Sequence, residues 1–207
     1  MVRCVLISDT HGIYDDITPD GDILLCAGDV SMGGTFKEIA AFNTFLNRQP
    51  QKFKIYCAGN HDWLYQTDPE LAPGIVENSV YLFDTATTIK GLKIFGTPWQ
   101  KAFCNWAFNK DDKTELPKLY ERIPEGLDIL LVHNPPYGIL DTVDDGPHLG
   151  SKALWERIKV ARPKVTVFGH IHSSGGRIQK KDGMTFVNAS LLNEQYEPQF
   201  EPIIIDL

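Results

Sequence analysis

Short apolar runs set at intervals along this chain leave it few ways to fold. They are VRCVLIS (2–8), DILLCAG (22–28), FKIYCAG (53–59), LKIFG (92–96), DILLVH (128–133), KVTVFG (164–169), MTFVNAS (184–190) and PIIIDL (202–207). Their length and β-branched content suit strands rather than helices. Polar and apolar residues do not alternate within them, so both faces of each strand need cover. Two helical patterns lie between the runs. TFKEIAAFNTFLNR (35–48) opens on a Thr35-x-x-Glu38 capping box and repeats apolar residues at helical spacing. SKALWERIKVA (151–161) begins on a serine cap and stops before Pro163. Strands alternating with helices predict an α/β domain with a largely buried sheet, continuous over residues 1–207.

The ends of these runs carry the chemistry. After VLIS comes Asp9-Thr10-His11-Gly12, and after ILLCAG comes Asp29. After IYCAG comes Asn60-His61-Asp62, after ILLV comes His133-Asn134-Pro135-Pro136, and after VTVFG comes His170-Ile171-His172. Ligands of α/β folds gather at strand termini and the loops beyond them. Taken singly, each Asp or Asn has a plain alternative as a turn former or helix cap. A single histidine is ordinarily a surface or satisfied-core residue. Yet of the six histidines only His148 stands away from a strand end, and that coincidence favours one convergent site.

Net charge −7 and a sequence pI near 5.3 disfavour non-specific nucleic-acid binding, which leans on Lys and Arg. Small phosphorylated ligands remain compatible if a cation sits in the site. No apolar stretch approaches a membrane span, and the first run is too short for a signal peptide. Cys4, Cys26, Cys57 and Cys104 show no C-x-x-C spacing. They read as thiols of a reducing compartment, so a cytoplasmic location is expected.

If the strand ends converge, the site holds Asp9, His11, Asp29, Asn60, His133, His170 and His172. That set is too large for one catalytic zinc, which takes three protein ligands. It suits two metals about 3.5–4 Å apart. One carboxylate must then bridge, and Asp29 is the natural candidate because Asp9 and His11 already pair on one side. Imidazole, carboxylate and amide oxygen without thiolate favour borderline-to-hard divalent ions: manganese first, with iron, zinc, cobalt or nickel as alternatives. Such a site would deprotonate a bridging water for in-line attack on phosphorus. His61, beside Asn60, is free to protonate a leaving-group oxygen. Asp62 would orient it, support the ligands from behind, or cap a helix ahead of Trp63.

These blocks, DTH (9–11), GD (28–29), GNHD (59–62), VH (132–133) and GHIH (169–172), resemble the calcineurin-like metallophosphoesterase superfamily in kind and order. The resemblance implies a four-layer αββα fold: two mixed β-sheets packed as a sandwich and flanked by helices. It implies Asp9, His11 and His172 on one metal, Asn60, His133 and His170 on the other, Asp29 bridging, and His61 as the catalytic non-ligand. DGDILLCAGD, GTPWQ, HNPPYG, RPKVTVFGHIH and FVNAS are similar to the compact branch that contains the mammalian brain metallophosphoesterase-domain proteins. GDVSMGG departs from the GDxVDRG of protein Ser/Thr phosphatases.

The expected activity is therefore hydrolysis of a nucleotide or other small phosphodiester. The alternatives are a phosphomonoesterase of the same mechanism and a non-catalytic metal-binding scaffold. In TPWQKAFCNWAFN (97–109), one of Trp99, Phe103, Trp106 and Phe108 is expected to line the pocket, with Trp99 as the candidate substrate contact and ordinary packing as the alternative. Asn134 and Tyr137 are further rim candidates.

Overall fold

The structure, a computed structural model, describes residues 1–14, 18–143 and 146–207. In chain order the first half contains β1 (Arg3–Ile7), β2 (Ile23–Cys26), α1 (Phe36–Arg48), β3 (Phe53–Tyr56), α2 (Leu64–Thr67), α3 (Leu71–Ile75), β4 (Val80–Tyr81), β5 (Thr85–Ile89) and β6 (Leu92–Thr97). The second half contains β7 (Gln100–Lys101), β8 (Asn109–Lys110), α4 (Leu116–Tyr120), β9 (Ile129–Val132), α5 (Lys152–Ala161), β10 (Val165–Phe168), β11 (Arg177–Lys181), β12 (Met184–Asn188) and β13 (Ile203–Asp206). All eight apolar runs form strands. Both expected helices form, and the Thr35–Glu38 capping box closes in both directions.

The strands make two mixed sheets. One runs β13-β1-β2-β3-β4, with β13 antiparallel to β1 and the others parallel. The other runs β11-β12-β10-β9-β6-β5, with only the two edge pairings antiparallel. Register sets Leu25 between Leu6 and Ile55 in the first sheet, and Val167 between Leu131 and Val187 in the second. Side chains alternate across each strand, and both faces of the inner strands find cover, whereas edge strand β13 leaves Ile204 exposed. Leu6, Leu25 and Ile55 meet Leu131, Val167 and Val187 between the sheets. Val5, Ile7 and Leu24 lie under Phe42 and Phe45 of α1. Leu130, Val132 and Phe168 lie under Leu154 and Ile158 of α5 and Tyr120 of α4. The result is the expected αββα sandwich.

Elements without an apolar run escaped the sequence reading. β5 (TATTI) and β11 (RIQKK) are polar edge strands whose outward side needs no apolar cover. α2, α3 and α4 have four or five residues, too few to show a helical period. Among the described residues no helix is long and apolar enough to cross a membrane.

The carboxyl ends of the parallel strands in both sheets reach one rim of the sandwich. There Ser8, after β1, bridges to Ser190, after β12, and the Leu191 N–H donates to the Ser8 carbonyl at 3.0 Å. The two sheets are thus tied together beside Asp9. Leu131→Ala, at the sheet interface, is expected to cost about 2–5 kcal/mol in denaturant unfolding. Ile178→Ala on exposed β11 should stay within about 0.5 kcal/mol; equal losses at both positions would contradict the packing described.

Candidate active site

The loops that leave β1, β2, β3, β9 and β10 converge on this rim, and several are held in backbone conformations that side chains rarely adopt. Asp9 (φ 53°), His11 (φ 45°), Asp29 (φ 50°) and His170 (φ 69°) are all left-handed. Each such residue costs roughly 1–3 kcal/mol and persists only where its surroundings enforce it. Glycine would relieve the strain but would supply no ligand. Two glycines serve the opposite need. A Cβ on Gly59 would lie 2.2 Å from Asp29 Oδ1, and one on Gly169 would lie 1.8 Å from Asp9 Oδ2.

Hydrogen bonds fix one side of each carboxylate and leave the other side facing inward. Asp9 Oδ2 accepts from the Ser190 hydroxyl (2.7 Å), and the His170 N–H lies 3.0–3.1 Å from both Asp9 oxygens. Asp9 Oδ1 then faces His172 Nε2 at 3.3 Å and His11 Nε2 at 3.8 Å. Asp29 Oδ1 accepts from the His61 N–H at 2.8 Å. Its Oδ2 lies between His133 Nε2 (3.2 Å) and His11 Nε2 (3.8 Å). Burial opposes the charge on both acids. For Asp9 the His172 hydrogen bond and the nearby imidazoles prevail; for Asp29 the His133 charge does, and both stay below the usual carboxylate range.

The imidazoles are oriented from behind. His133 Nδ1 donates to the Ala27 carbonyl at 2.8 Å, and His172 Nδ1 donates to the Asn193 carbonyl at 2.9 Å. That leaves both Nε2 atoms pointing to the centre, the arrangement by which outer hydrogen bonds orient metal-ligating histidines. His133 Nε2 faces two acceptors, Asp29 and Asn60 Oδ1 (3.0 Å). Burial pushes His133 and His172 down, but Asp29 and Asp9 respectively overcome it and raise each to about 9. His11 and His170 have no such dominant acceptor, and burial lowers each to about 4.

The set fits divalent cations. His11 and His172 set their Nε2 atoms 3.3 Å apart, and His11 Nδ1 is buried without a hydrogen-bond partner among the described residues. Ligand atoms of Asp9, His11 and His172 lie within 4.8 Å of one another, as do those of Asp29, His133 and His170. A further group, His11, Asp29 and His61, lies between them. Asn60 Oδ1 adjoins the Asp29 group through His133.

Other expected site residues are distributed differently. His61 is at the centre's edge, its Nδ1 donating to the Met32 carbonyl at 2.6 Å. Asp62 does not orient it and does not cap α2. Its carboxylate instead accepts from the N–H groups of Gly59, Val30 and Ser31 and from the Ser31 hydroxyl, pinning the Asp29 loop to the Asn60 loop. Burial and the Asp29 charge raise Asp62 to about 6 despite those bonds.

Asn134 lines the cleft, with its amide group donating to the Pro135 carbonyl at 2.7 Å. Tyr137 does not, because the Pro135-Pro136 turn leads the chain to Ser151, and the ring packs against His148 and Lys152. Trp99 is likewise a packing residue: its indole N–H donates to Asp84 at 2.9 Å and its ring meets Phe83 and Phe108. From the same segment Phe103 and Trp106 line the cleft.

Sequence reasoning missed Ser190, Met32 and Tyr196. Ser190 follows an apolar run, as the other site residues do, and could have been found by the same rule. Tyr196, 4.8 Å from the His11 ring centroid and 40 % exposed, sits in an irregular segment without any signal.

The profile of the calcineurin-like phosphoesterase family matches residues 2–174. Metallophosphoesterase domain-containing protein 1 of Homo sapiens is 35% identical over 231 residues, spanning 99% of this chain and 71% of that protein. TT1561 of Thermus thermophilus is similar in structure, with TM-score 0.63 at 17% identity over 90% of this chain and 88% of its own. GAP50, the anchor in the inner membrane complex of Plasmodium, also shares the fold, with TM-score 0.55 at 11% identity over 92% of this chain and 71% of its own.

Two tests follow from the geometry. Gly169→Ala should displace Asp9 and abolish cation uptake at its cluster, seen as lost metal stoichiometry; normal uptake would refute the close approach. A cation held by His133 and His172 would have to displace their Nε2 protons. Loading near pH 7 should release protons, and affinity should rise as pH is raised from about 6 to about 9. Calorimetry in buffers of different ionisation enthalpy measures the release; no buffer dependence would exclude these two imidazoles as ligands.

Proposed function

This chain belongs to the calcineurin-like phosphoesterase family, and from that premise we propose that it is a binuclear metal-dependent phosphodiesterase acting on a nucleotide or other small phosphodiester. The observation that carries the reading is that Asp9, His11 and His172 form one group of ligand-capable atoms and Asp29, His133 and His170 another, with Asp29 also in reach of His11. In this reading Asp9, His11 and His172 hold one divalent ion, Asn60, His133 and His170 hold the other, and Asp29 Oδ2 is shared. Manganese is the first choice for both positions. When bound, the ions supply positive charge for the phosphate oxygens and a water of lowered pKa.

The chain's own residues complete the chemistry. Asp9 and Asp29 offset part of the ion charge, and their outer hydrogen bonds hold the geometry before substrate arrives. His61 is tethered through Nδ1 to Met32, which leaves Nε2 to protonate the departing oxygen. The cleft has a volume of about 460 Å³, within the range of small-molecule sites. Its outer wall is largely apolar, with Phe103, Trp106, Val143, Leu149 and Tyr196. Lys101 is the one Lys or Arg among the described lining residues, and its ammonium group donates to the Leu149 carbonyl at 3.1 Å. A cleft with so few cationic side chains favours a singly charged diester over a doubly charged monoester, whose extra charge would call for further Arg or Lys donors.

Metal-stripped protein reloaded with Mn2+ should hydrolyse bis-p-nitrophenyl phosphate faster than p-nitrophenyl phosphate. His61→Ala should lower turnover of diphenyl phosphate, whose phenolate departs poorly, by about a hundredfold or more, and that of bis-p-nitrophenyl phosphate far less. Faster monoester cleavage would favour the phosphomonoesterase, and no turnover with two ions bound would favour a binding scaffold.

A further inference from the structure

We propose that Trp106 is a positioning residue, holding the His61 imidazole in the orientation from which it protonates the leaving-group oxygen; the inference rests on the hydrolytic reading of the site. His61 is bounded on three sides. Its Nδ1 donates to the Met32 carbonyl at 2.6 Å. His11 meets it edge-on, with ring centroids 4.6 Å apart and planes at 86°. The Trp106 ring covers its face, with centroids 4.1 Å apart and planes 31° from parallel. One hydrogen bond leaves the ring free to rock about that bond, because the Cβ–Cγ torsion of histidine has a broad minimum. A flat indole against the face removes that freedom and keeps Nε2 aimed into the cleft.

The backbone supports this assignment. The Ala107 N–H donates to the Asn60 carbonyl at 3.1 Å, so the loop carrying Trp106 is bonded to the residue before His61. The Gln100 side-chain amide bonds the Ala107 carbonyl from the other side at 3.3 Å. The loops that carry the indole and the imidazole are therefore tied together. Ordinary packing does not explain the placement: Trp106 lies in none of the three apolar clusters that form the core, whereas Trp99 packs against two of them. A role in stacking on substrate is the competing account, since Trp106 also lines the cleft. The two differ in what they do to the reaction. Stacking contributes to binding whatever group departs. Positioning matters only where the departing oxygen needs a proton.

The test uses the metal-loaded enzyme and two phosphate diesters, bis-p-nitrophenyl phosphate and diphenyl phosphate: p-nitrophenolate departs readily as an anion, and phenolate departs less readily. Trp106→Ala should lower kcat for the phenyl ester by about ten- to a hundredfold, the scale on which misplacement of a reacting group acts. It should lower kcat for the nitrophenyl ester far less, and any change in KM from the altered cleft wall should be common to both esters. Trp106→Phe, which keeps a flat face, should restore most of the phenyl-ester rate. In a His61→Ala background, Trp106→Ala should cost nothing further. Trp106→Leu, which retains bulk without a planar face, should behave as Trp106→Ala and guards against a loss due to unfolding. Equal losses for both esters, a loss confined to KM, or an undiminished cost in the His61→Ala background would overturn the inference while leaving the hydrolase reading intact. Failure of the wild-type enzyme to cleave either ester with both ions bound would overturn both.

Discussion

The Asp29 carboxylate is the point on which the site is built. One oxygen is committed to the His61 N–H, so the other is presented between His11 and His133. These residues come from different sheets: His11 follows β1 in one, and His133 follows β9 in the other. Holding a negative charge between imidazoles in a buried setting strengthens each interaction, and leaving it unpaired there would cost several kcal/mol. Its setting is completed by Asp62, which binds both the loop that carries Asp29 and the loop that carries His61. The bond from His133 to the Ala27 carbonyl adds a direct tie between the sheets.

That arrangement needs a stiff support. Four of the converging residues hold left-handed backbones, and Gly59 and Gly169 permit approaches that no Cβ would allow. The support comes from parallel strands buried on both faces, three apolar layers deep. Strain at the rim is tolerated because the strands beneath it are held by burial far larger in sum. The bridge from Ser8 to Ser190 places the seam between the sheets directly beside Asp9, whose outer oxygen Ser190 holds. The division of labour is physical: strand interiors supply stability, and strand ends supply function.

Much of this was legible in the residues. A strand covered on both faces must be apolar throughout, so such runs could be found and their ends marked; β13, an edge strand with Ile204 exposed, was found by its apolar run alone. Thr35 and Glu38, and Ser151, announced α1 and α5 because capping is a local hydrogen-bond pattern. β5 and β11 were hidden because an exposed edge strand needs few apolar residues, and α2 to α4 because one turn shows no period. Within the segment 97–109, aromatic content indicated a wall to the cleft but not which ring formed it. Trp99 and Trp106 are alike as residues; the hydrogen bond to Asp84 draws one inward, and the bond from Ala107 to Asn60 sets the other against His61. Tyr137 follows His133 closely in the chain, yet the turn at Pro135-Pro136 carries it away.

The sequence by itself determined the layered strands, the two long helices and the identity of the ligand-capable residues, since these follow from burial, capping and donor chemistry that are local to each run. Only the tertiary structure decided which ligand-capable atoms lie within reach of one another, the outward oxygens and inward nitrogens, and the pairing of Trp106 with His61. Each of these depends on contacts between segments far apart in the chain, such as Asp9 with His172 and Ala27 with His133, across 163 and 106 positions. No local pattern encodes such distances, because they arise when two separately formed sheets pack and their strand ends meet.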